Sequence, residues 1–289
     1  MEKIKFVKSN HIYIFASDLS NLIGKNRYRN PSEIVLKLWK NNFPHEYSAI
    51  KKELNDKKKP IALEETKQDT FKRISTKYKD KTAKLHEEIQ KCTEEKDIIK
   101  MKESRQKLLT HCKDLESKDK IEIEKAILEI TNTNFGTKQE SKSIHIYTQL
   151  TGKPVLKIQR FSKRPLISSN KNIWFLGGKL DGILQDKTII EVKNRMNGLF
   201  NSVREYEKIQ TYAYMFIFHS KKSQIVETYL KNQTPECGII DISFEEEYWK
   251  EIVSRILIFI NYFNNFIENK KLQKELVQKG TQNFSLDIF

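Results

Sequence analysis

The feature that most restricts the fold of this 289-residue chain is a long stretch without helix-breaking residues. No glycine occurs in residues 25–135, and no proline occurs in residues 61–153. Residues 51–125 carry 22 basic and 17 acidic side chains, which makes them too polar to fill a core. Because glycine and proline are the residues that most disfavour a helix interior, this stretch predicts long, solvated helices.

Apolar residues recur at helical spacing within this stretch and give each helix a narrow stripe to bury. The spacing predicts two helices, residues 64–92 and 97–132, that turn near residues 93–96 and pack as an antiparallel hairpin. We assign residues 51–133 to this charged helical hairpin insertion. Its role stays open between a solvated spacer or partner-docking arm and a clamp over DNA. The stripe residues are Phe71, Ile74, Tyr78, Leu85, Ile89, Cys92, Leu108, Leu109, Cys112 and Leu115.

The charge balance favours a polyanionic partner. The formal net charge is +15 and the isoelectric point is about 9.4. A lysine-rich composition is the alternative explanation, but nucleic acid accounts better for a balance so far from neutral. Three scattered cysteines are too few for a disulfide framework. The N-terminus lacks a signal-peptide core and no apolar run has membrane-spanning length, so we expect an intracellular protein with no membrane partner.

The residues with the clearest chemistry lie in Leu176–Lys193, whose pattern is typical of two short strands joined by the polar turn Gln185–Lys187. Side chains alternate across a strand, so Glu191 and Lys193 share one face. Asp181, on the neighbouring strand, can supply a second carboxylate. Paired carboxylates suit a hard divalent cation and the lysine suits a phosphate or a water, which together indicate metal-assisted phosphodiester hydrolysis. A surface hairpin with solvated ion pairs is the alternative.

The N-terminal residues predict a strand followed by two helices around a basic loop. Residues 3–15 alternate between apolar and polar side chains, which is typical of a strand. Ser17 is a suitable N-cap for the first helix and Gly24 a suitable end. The basic loop, residues 25–31, precedes a helix that begins near Ser32. Such a loop either grips a phosphate or is solvated surface.

Glu140 is a further candidate ligand. Gly136 is predicted to end the charged arm, and a new helix follows that turns Ile144, Tyr147 and Leu150 inward. Glu140 lies one helical turn before Ile144, on the core side. A carboxylate inclined toward the core needs a partner, and a cation held by the hairpin acids would provide one.

The remaining elements complete an α/β pattern. Gln210 and Tyr214 lie one turn apart on a helix of residues 203–216. The chain after residue 270 is polar and expected to be loose. The element order predicts a mixed central sheet flanked by helices, with an inserted long helical hairpin. The other predicted elements are strands at residues 155–161, 172–176 and 223–231 and a helix at residues 245–269.

Four stretches, taken together and in order, resemble PD-(D/E)xK nucleases of the lambda-exonuclease type, also called YqaJ-like or RecB-like nucleases. The resemblance covers most of residues 11–40 and 134–231 and implies a restriction-endonuclease-like core. It leaves the helical hairpin and the C-terminal helix unmatched, and the hairpin puts ring formation in doubt. The stretches are FASDLSNLIG with its basic loop, Phe135-Gly136-Thr137-x-x-Glu140, Gly178-x-x-Asp181-Gly182 followed by Glu191-Val192-Lys193, and Tyr206-x-x-x-Gln210-x-x-x-Tyr214.

The resemblance implies a metal centre of one or two Mg²⁺ or Mn²⁺ ions. Lys193 would position or activate the attacking water, with its pKa lowered toward the working range by burial and by metal. Gln210 would orient that lysine or the phosphate. No iron–sulphur cluster is expected, because the three cysteines are wrongly spaced for the family members that carry one. The implied ligands are Glu140, Asp181, Glu191 and the backbone carbonyl of Val192.

The resemblance also implies how substrate would be held. Tyr214 would support Gln210 at the DNA. Ser17 and one of Lys25, Arg27 or Arg29 would contact a terminal 5′-phosphate. The hairpin could engage a single-strand-annealing protein or another protein partner.

These observations predict a metal-dependent DNA nuclease, most specifically a 5′→3′ exonuclease on double-stranded ends in viral or phage-type recombination or replication, acting in the host cytoplasm or nucleus. A structure-specific or non-specific endonuclease on the same fold is one alternative. A DNA-binding scaffold with a degenerate nuclease core is another, although it would not be expected to keep all of the candidate acids and the lysine. Residues 1–50 and 134–289 would form the nuclease domain. The sequence leaves the oligomeric state open.

Overall fold

A computed structural model describes residues 10–62, 67–78, 85–94, 98–158, 160–168, 172–231, 234–286 and 288. Within them the chain is an α/β protein with mixed sheets flanked by helices, which confirms the predicted fold class. No helix in these ranges is both long enough and apolar enough to span a membrane.

The N-terminal elements match the prediction except at the Ser17 cap and in one further helix (Pro44–Asp56) that was not predicted. The opening strand is β1 (Asn10–Phe15), and the predicted residues 3–9 lie outside the described part of the chain. A 3-10 turn (Ala16–Asp18) leads into a short helix, α1 (Leu19–Leu22), and Gly24 then adopts a φ of 70°. The predicted cap at Ser17 is wrong, because neither element has a side-chain cap hydrogen bond. Two longer helices follow, α2 (Ser32–Asn42) and α3 (Pro44–Asp56).

The charged stretch is broken into shorter pieces than predicted. Its described residues form α4 (Lys67–Lys77), α5 (Leu85–Glu94), α6 (Ile98–Thr110) and the start of α7 (Ser117–Thr151). The predicted helix 97–132 is interrupted at residues 111–116, and in the predicted helix 64–92 a turn follows α4 at Tyr78, while residues 79–84 lie outside the described part of the chain. Part of the predicted turn, residues 95–97, lies outside the described residues.

These pieces form a helical subdomain, α4 to α6 with the first half of α7. Its buried apolar side chains form a cluster separate from the main core, and Met196 and Leu230 from the rest of the chain pack against it. The helical subdomain therefore packs as a small bundle rather than as the predicted two-helix hairpin.

Gly136 does not end the arm. It lies inside the 35-residue helix α7, which runs without a break from the helical subdomain to the rest of the chain. A glycine costs a helix interior roughly 1 kcal/mol, which the packing on both sides of it outweighs. One rigid element thus crosses the predicted boundary between residues 133 and 134.

The strands form two groups. β2 (Ser162–Ser168) pairs antiparallel with β3 (Asn172–Gly178), whose other edge pairs parallel with β1. The second group has the order β4 (Gly182–Ile183), β5 (Ile189–Asn194), β6 (Lys222–Lys231), β7 (Thr234–Ser243), in which only β5 and β6 are parallel. The predicted strand at residues 155–161 is wrong, since the described residues of this segment, 155–158, 160 and 161, form a single bridge, from Leu156 to Ile183.

The helices after β5 cover the sheets. Helix α8 (Glu205–Phe218) follows β5, and α9 (Glu246–Glu268) supplies a stripe of phenylalanines to the main core. The predicted loose tail is wrong: residues Lys270–Asn283 form α10, which buries Leu276 and Val277. β7 was not predicted, because its side chains are only half-buried and do not alternate strongly.

Candidate active site

The two hairpin acids meet across the junction between β3 and β5. Asp181 is not on a long strand as predicted, but in the bend between β3 and β4. The backbone N–H of Val192 donates a hydrogen bond of 2.8 Å to Asp181 Oδ2. Glu191, the neighbour of Val192 on β5, is only 4% exposed. The fold therefore brings together two carboxylates that are ten positions apart in the sequence.

The oxygens of Glu191 are unequally satisfied. Its Oε1 accepts hydrogen bonds from Lys193 Nζ at 2.7 Å and from Gln210 Nε2 at 2.9 Å. Its Oε2 is buried and has no hydrogen-bond partner among the residues that the structure describes. A buried carboxylate oxygen without a partner is costly, and a bound cation is one way to satisfy it.

Helix α8 contributes the amide that links the lysine to the acid. Lys193 Nζ also donates to Gln210 Oε1 at 3.2 Å, and Gln210 Nε2 donates to the Tyr214 hydroxyl at 3.3 Å. Tyr214 lies against Gly178, where an added Cβ would come within 2.6 Å of the tyrosine ring. Glycine at this position thus allows α8 to pack close enough for Gln210 to reach the β5 residues.

Burial and neighbouring charges shift the pKa values of Asp181 and Lys193. Burial, reinforced by the charge of Glu191, raises the pKa of Asp181 to about 8. Burial alone would lower the pKa of Lys193, but the charge of Glu191 and the hydrogen bond to it outweigh burial and raise that pKa above its usual range. The predicted lowering of the Lys193 pKa by burial is therefore wrong, because the neighbouring carboxylate outweighs burial, whereas its lowering by a bound metal stays a prediction. Lys193 is a cation here, and its side chain keeps 21% exposure.

Glu140 lies in α7 and is half-buried. Its negative charge is one of the causes that raise the Asp181 pKa, so it belongs to the electrostatic surroundings of the acid pair. Across the described ranges, however, no three His, Cys, Asp or Glu side chains are close enough together to hold a metal ion. The two hairpin acids fit a divalent cation through the unsatisfied Glu191 oxygen and the raised Asp181 pKa, and Glu140 stands nearby as a third carboxylate.

The predicted basic loop lies against the start of α8. Lys25 forms ion pairs of 3.1 Å with Glu205 and 3.6 Å with Glu251. The rings of Tyr28 and Tyr206 meet edge to face at 6.1 Å, one helical turn before Gln210. The loop is therefore next to the element that carries the site amide.

Two cations of the loop remain accessible. Arg27 and Arg29 are exposed and line an open cleft together with Ser285 and Leu286. Ser17 is also exposed, on the 3-10 turn. Within the described ranges no hydrogen bond joins Ser17 to the loop.

A second buried charge cluster, which was not predicted from the sequence, is centred on Arg195, directly after β5. Arg195 donates to both oxygens of Glu207, at 2.7 and 2.9 Å, and through Nε to Glu227 Oε1 at 2.7 Å. Glu227 Oε2 accepts the backbone N–H groups of Phe200 and Asn201, each at 3.0 Å. The alternation that places Glu191 beside Lys193 also places Arg195 on that face, and this signal could have identified it.

The sequence matches no protein-family model and none of the curated proteins with which it was compared. In structure the chain is similar to an alkaline exonuclease from Laribacter hongkongensis, with 15% sequence identity, a TM-score of 0.40 and coverage of 58% of this chain and 81% of that one. The same exonuclease in complex with dAMP gives 14% identity, a TM-score of 0.39 and coverage of 58% and 82%.

A phage-related exonuclease from Haemophilus somnus 129PT is similar at 16% identity and a TM-score of 0.39, with coverage of 47% of this chain and 72% of that one. Exonucleases, the kind of protein that the four stretches predict, are thus among the structures that the chain is similar to. At TM-scores this low the similarity carries no argument about function. The evidence for function is the geometry of the site.

Proposed function

We propose that this protein is a metal-dependent DNA nuclease. The observation that carries the proposal is the half-satisfied acid pair: Glu191 has one oxygen held by two donors and the other buried without a partner, beside an Asp181 whose pKa is raised to about 8. A buried ion pair offsets its desolvation only when hydrogen bonds also satisfy its remaining lone pairs, and those of Glu191 Oε2 have no partner among the described residues. The arrangement is that expected of a cation site.

Asp181 and Glu191 would hold the cation, with Glu140 and the backbone carbonyl of Val192 as further ligands that the family resemblance implies. Oxygen ligands of this kind suit Mg²⁺ or Mn²⁺. When bound, such an ion supplies charge neutralisation to a phosphodiester and makes water a better nucleophile.

The side chains around the acids have separate tasks. Lys193, held as a cation, can donate from Nζ to a non-bridging phosphate oxygen and so stabilise the charge that develops during hydrolysis. Gln210 fixes the lysine and the acid by contacting both, and the Tyr214 hydroxyl holds the amide. These contacts preorganise the lysine before the substrate arrives.

The finer proposal is a 5′→3′ exonuclease on duplex DNA ends. Its support is the basic loop beside α8, where Arg27 and Arg29 line an open cleft while Lys25 is paired with Glu205 and Glu251. Arg27 also donates to the Tyr28 hydroxyl at 2.6 Å, so Arg29 is the more available of the two for a terminal phosphate. Phosphate contacts position a nucleic acid without reading its sequence, which suits an enzyme that digests any end. The net charge of +15 favours a polyanionic substrate.

The test uses DNA substrates that differ only in their ends. Linear duplex with a 5′-phosphate, linear duplex without it, closed circular duplex and a matched RNA duplex are incubated with and without Mg²⁺. We expect mononucleotide release only from linear DNA with Mg²⁺, and faster release when the 5′-phosphate is present. Cutting of the closed circle would replace the exonuclease with an endonuclease. No cutting of any substrate with Mg²⁺ or Mn²⁺ would leave a DNA-binding scaffold and overturn the proposal.

A further inference from the structure

The group formed by β1, β3 and β2 has one buried face and one open face. Ile12 and Ile14 on β1, with Trp174 and Leu176 on β3, are buried in the main core. The alternate residues point the other way, where the described chain leaves the face open. Aromatic side chains predominate on this open face: His11, Tyr13, Phe15, Phe161 and Phe175.

The rings of the open face form two contacting groups. Phe175 stacks on Tyr13 at 5.4 Å and meets His11 edge to face at 5.2 Å. Farther along, Phe15 and Phe161 lie 5.8 Å apart. Phe15 is 37% exposed and Phe161 43% exposed, although large apolar side chains gain free energy from burial. An exposed row of rings on a sheet is a surface suited to binding.

Cations border the rings. Lys163 lies over the rings of Tyr13 and Phe175, each at 4.9 Å, and donates to the Tyr13 hydroxyl at 2.7 Å. Arg160 and Lys163 are both exposed, and they line one cleft with Tyr13 and Phe161. In the part of the chain that the structure describes, neither cation has an ion-pair partner.

A second groove runs along the other side of the same rings. It is lined by residues of α2 together with Phe15 and Phe161. Lys37 lies 4.9 Å from the centre of the Phe15 ring, and its charge is neutralised by Asp18 at 2.5 Å. The cations without an ion-pair partner among the described residues, Arg160 and Lys163, therefore lie on the other side of the rings from Lys37. The phosphate backbone of a bound nucleic acid would run along that side.

The open face begins next to the candidate active site. Phe161 covers Gly177, where an added Cβ would approach its ring to 2.4 Å, and Tyr214 covers Gly178. Three residues later the chain reaches Asp181. The ring pair and the acid pair thus lie at the same end of β3, one on the outer side of the sheet and the other beside α8.

We propose that this open face binds single-stranded nucleic acid, with bases stacked on Phe15 and Phe161 and the phosphates along Arg160 and Lys163. Exposed rings interleaved with unpaired cations are the combination that holds unpaired strands without sequence preference. An apolar protein partner would not require the cations. This inference deepens the proposed nuclease function: a strand that has lost its complement at the site would continue onto this face.

The test measures binding without cleavage. Fluorescence anisotropy of a labelled oligothymidylate of about 15 nucleotides is recorded in EDTA with the full chain, so that no strand is cut. We expect Phe161→Leu to weaken binding about tenfold and Phe15→Leu with Phe161→Leu to weaken it further, because leucine keeps the apolar bulk and loses the ring. Phe161→Tyr should restore wild-type affinity. Binding of a blunt duplex of equal length should change little.

Matched controls separate stacking from general effects. Leu257→Ala and Ile258→Ala on α9, with side chains of similar exposure at 41% and 44%, should bind the oligonucleotide as the wild type does. Lys163→Ala should reduce the salt dependence of binding. Unchanged affinity of the double leucine variant for the single strand would overturn the proposal.

Two further outcomes distinguish this inference from the proposed function. A concentration-dependent dimer in light scattering that the double variant abolishes, with single-strand affinity unchanged, would assign the face to a second copy of the chain and overturn the proposal. Ring-dependent binding by a protein that cuts no DNA under any metal condition would support the open face while the nuclease function fails.

Discussion

Two clusters of buried charge lie side by side, one on β5 and one at Arg195 directly after it, and they differ in whether their carboxylate oxygens have hydrogen-bond partners. In the outer cluster, Arg195 holds both oxygens of Glu207 and one of Glu227, whose other oxygen takes two backbone N–H groups. In the inner cluster, Lys193 holds one oxygen of Glu191 and the other has no partner among the described residues. Basic residues two positions apart, a lysine and an arginine, thus take part in an open network and a closed one.

The difference shows which cluster is structural. A closed network of one guanidinium and two carboxylates fixes the end of β5, β6, the Phe200–Asn201 loop and the start of α8 relative to one another. In the open cluster, the oxygen without a partner and the carboxyl group of raised pKa both destabilise the folded state. Such a cost is typical of a site that waits for a ligand.

The largest expected effect is a loss of nuclease activity when the open cluster is changed. Lys193→Ala or Asp181→Asn should lower the rate of duplex digestion about 10²–10³-fold or more, because each removes a group from the developing charge. DNA affinity should stay close to that of the wild type. Gel assays of end-labelled duplex with Mg²⁺ measure the rate. A wild-type rate in either variant would show that the open cluster is not the catalytic site.

A substitution in the closed cluster should lower the stability of the fold. Arg195→Met leaves two buried carboxylates without their cation and should lower the free energy of unfolding by about 3–5 kcal/mol. Urea denaturation followed by circular dichroism measures it. Lys274→Met, which breaks a more exposed pair with Glu53, is the control and should change stability little. Equal effects of the two substitutions would contradict the structural role of Arg195.

A divalent cation should stabilise the folded protein by binding at the open cluster and not at the closed one. A cation that binds the folded chain at 100 times its dissociation constant adds about 2.7 kcal/mol, and each kcal/mol raises Tm by roughly 2–4 °C in a chain of this size. Mn²⁺ or Mg²⁺ should therefore raise the Tm of the wild type and of the Arg195→Met variant, but not that of Asp181→Asn. Differential scanning fluorimetry against EDTA detects the shift. A shift retained in Asp181→Asn would place the cation elsewhere.

The smallest effect is a pH dependence without metal. The ordinary pKa of an aspartate is 3.8 and that of Asp181 in the folded chain is about 8, so the folded state loses stability as pH rises between these values. Asp181→Asn removes this loss and should be more stable than the wild type at pH 8 in EDTA, by about 1–3 kcal/mol, and similar at low pH. Urea melts at both pH values test the sign. A variant less stable than the wild type at pH 8 would contradict the raised pKa.

Local patterns in the sequence were enough to predict much of this arrangement. Strand alternation places Glu191 and Lys193 on one face, and helical spacing places Gln210 above Tyr214, because both relations depend only on residues a few positions apart. Gly24 ends its helix with positive φ as predicted, for the same local reason. The α/β class followed from the order of such elements.

Tertiary packing decided the rest. The sequence marks Gly136 as a break, yet packing on either side keeps α7 continuous, and the polar tail becomes α10 because the core offers Leu276 and Val277 a place to bury. Which oxygen of Glu191 is satisfied depends on how closely α8 approaches Gly178. The sequence alone determined which chemical groups share a face. Only the tertiary structure decided which of these groups have hydrogen-bond partners, because those partners come from residues far apart in the chain.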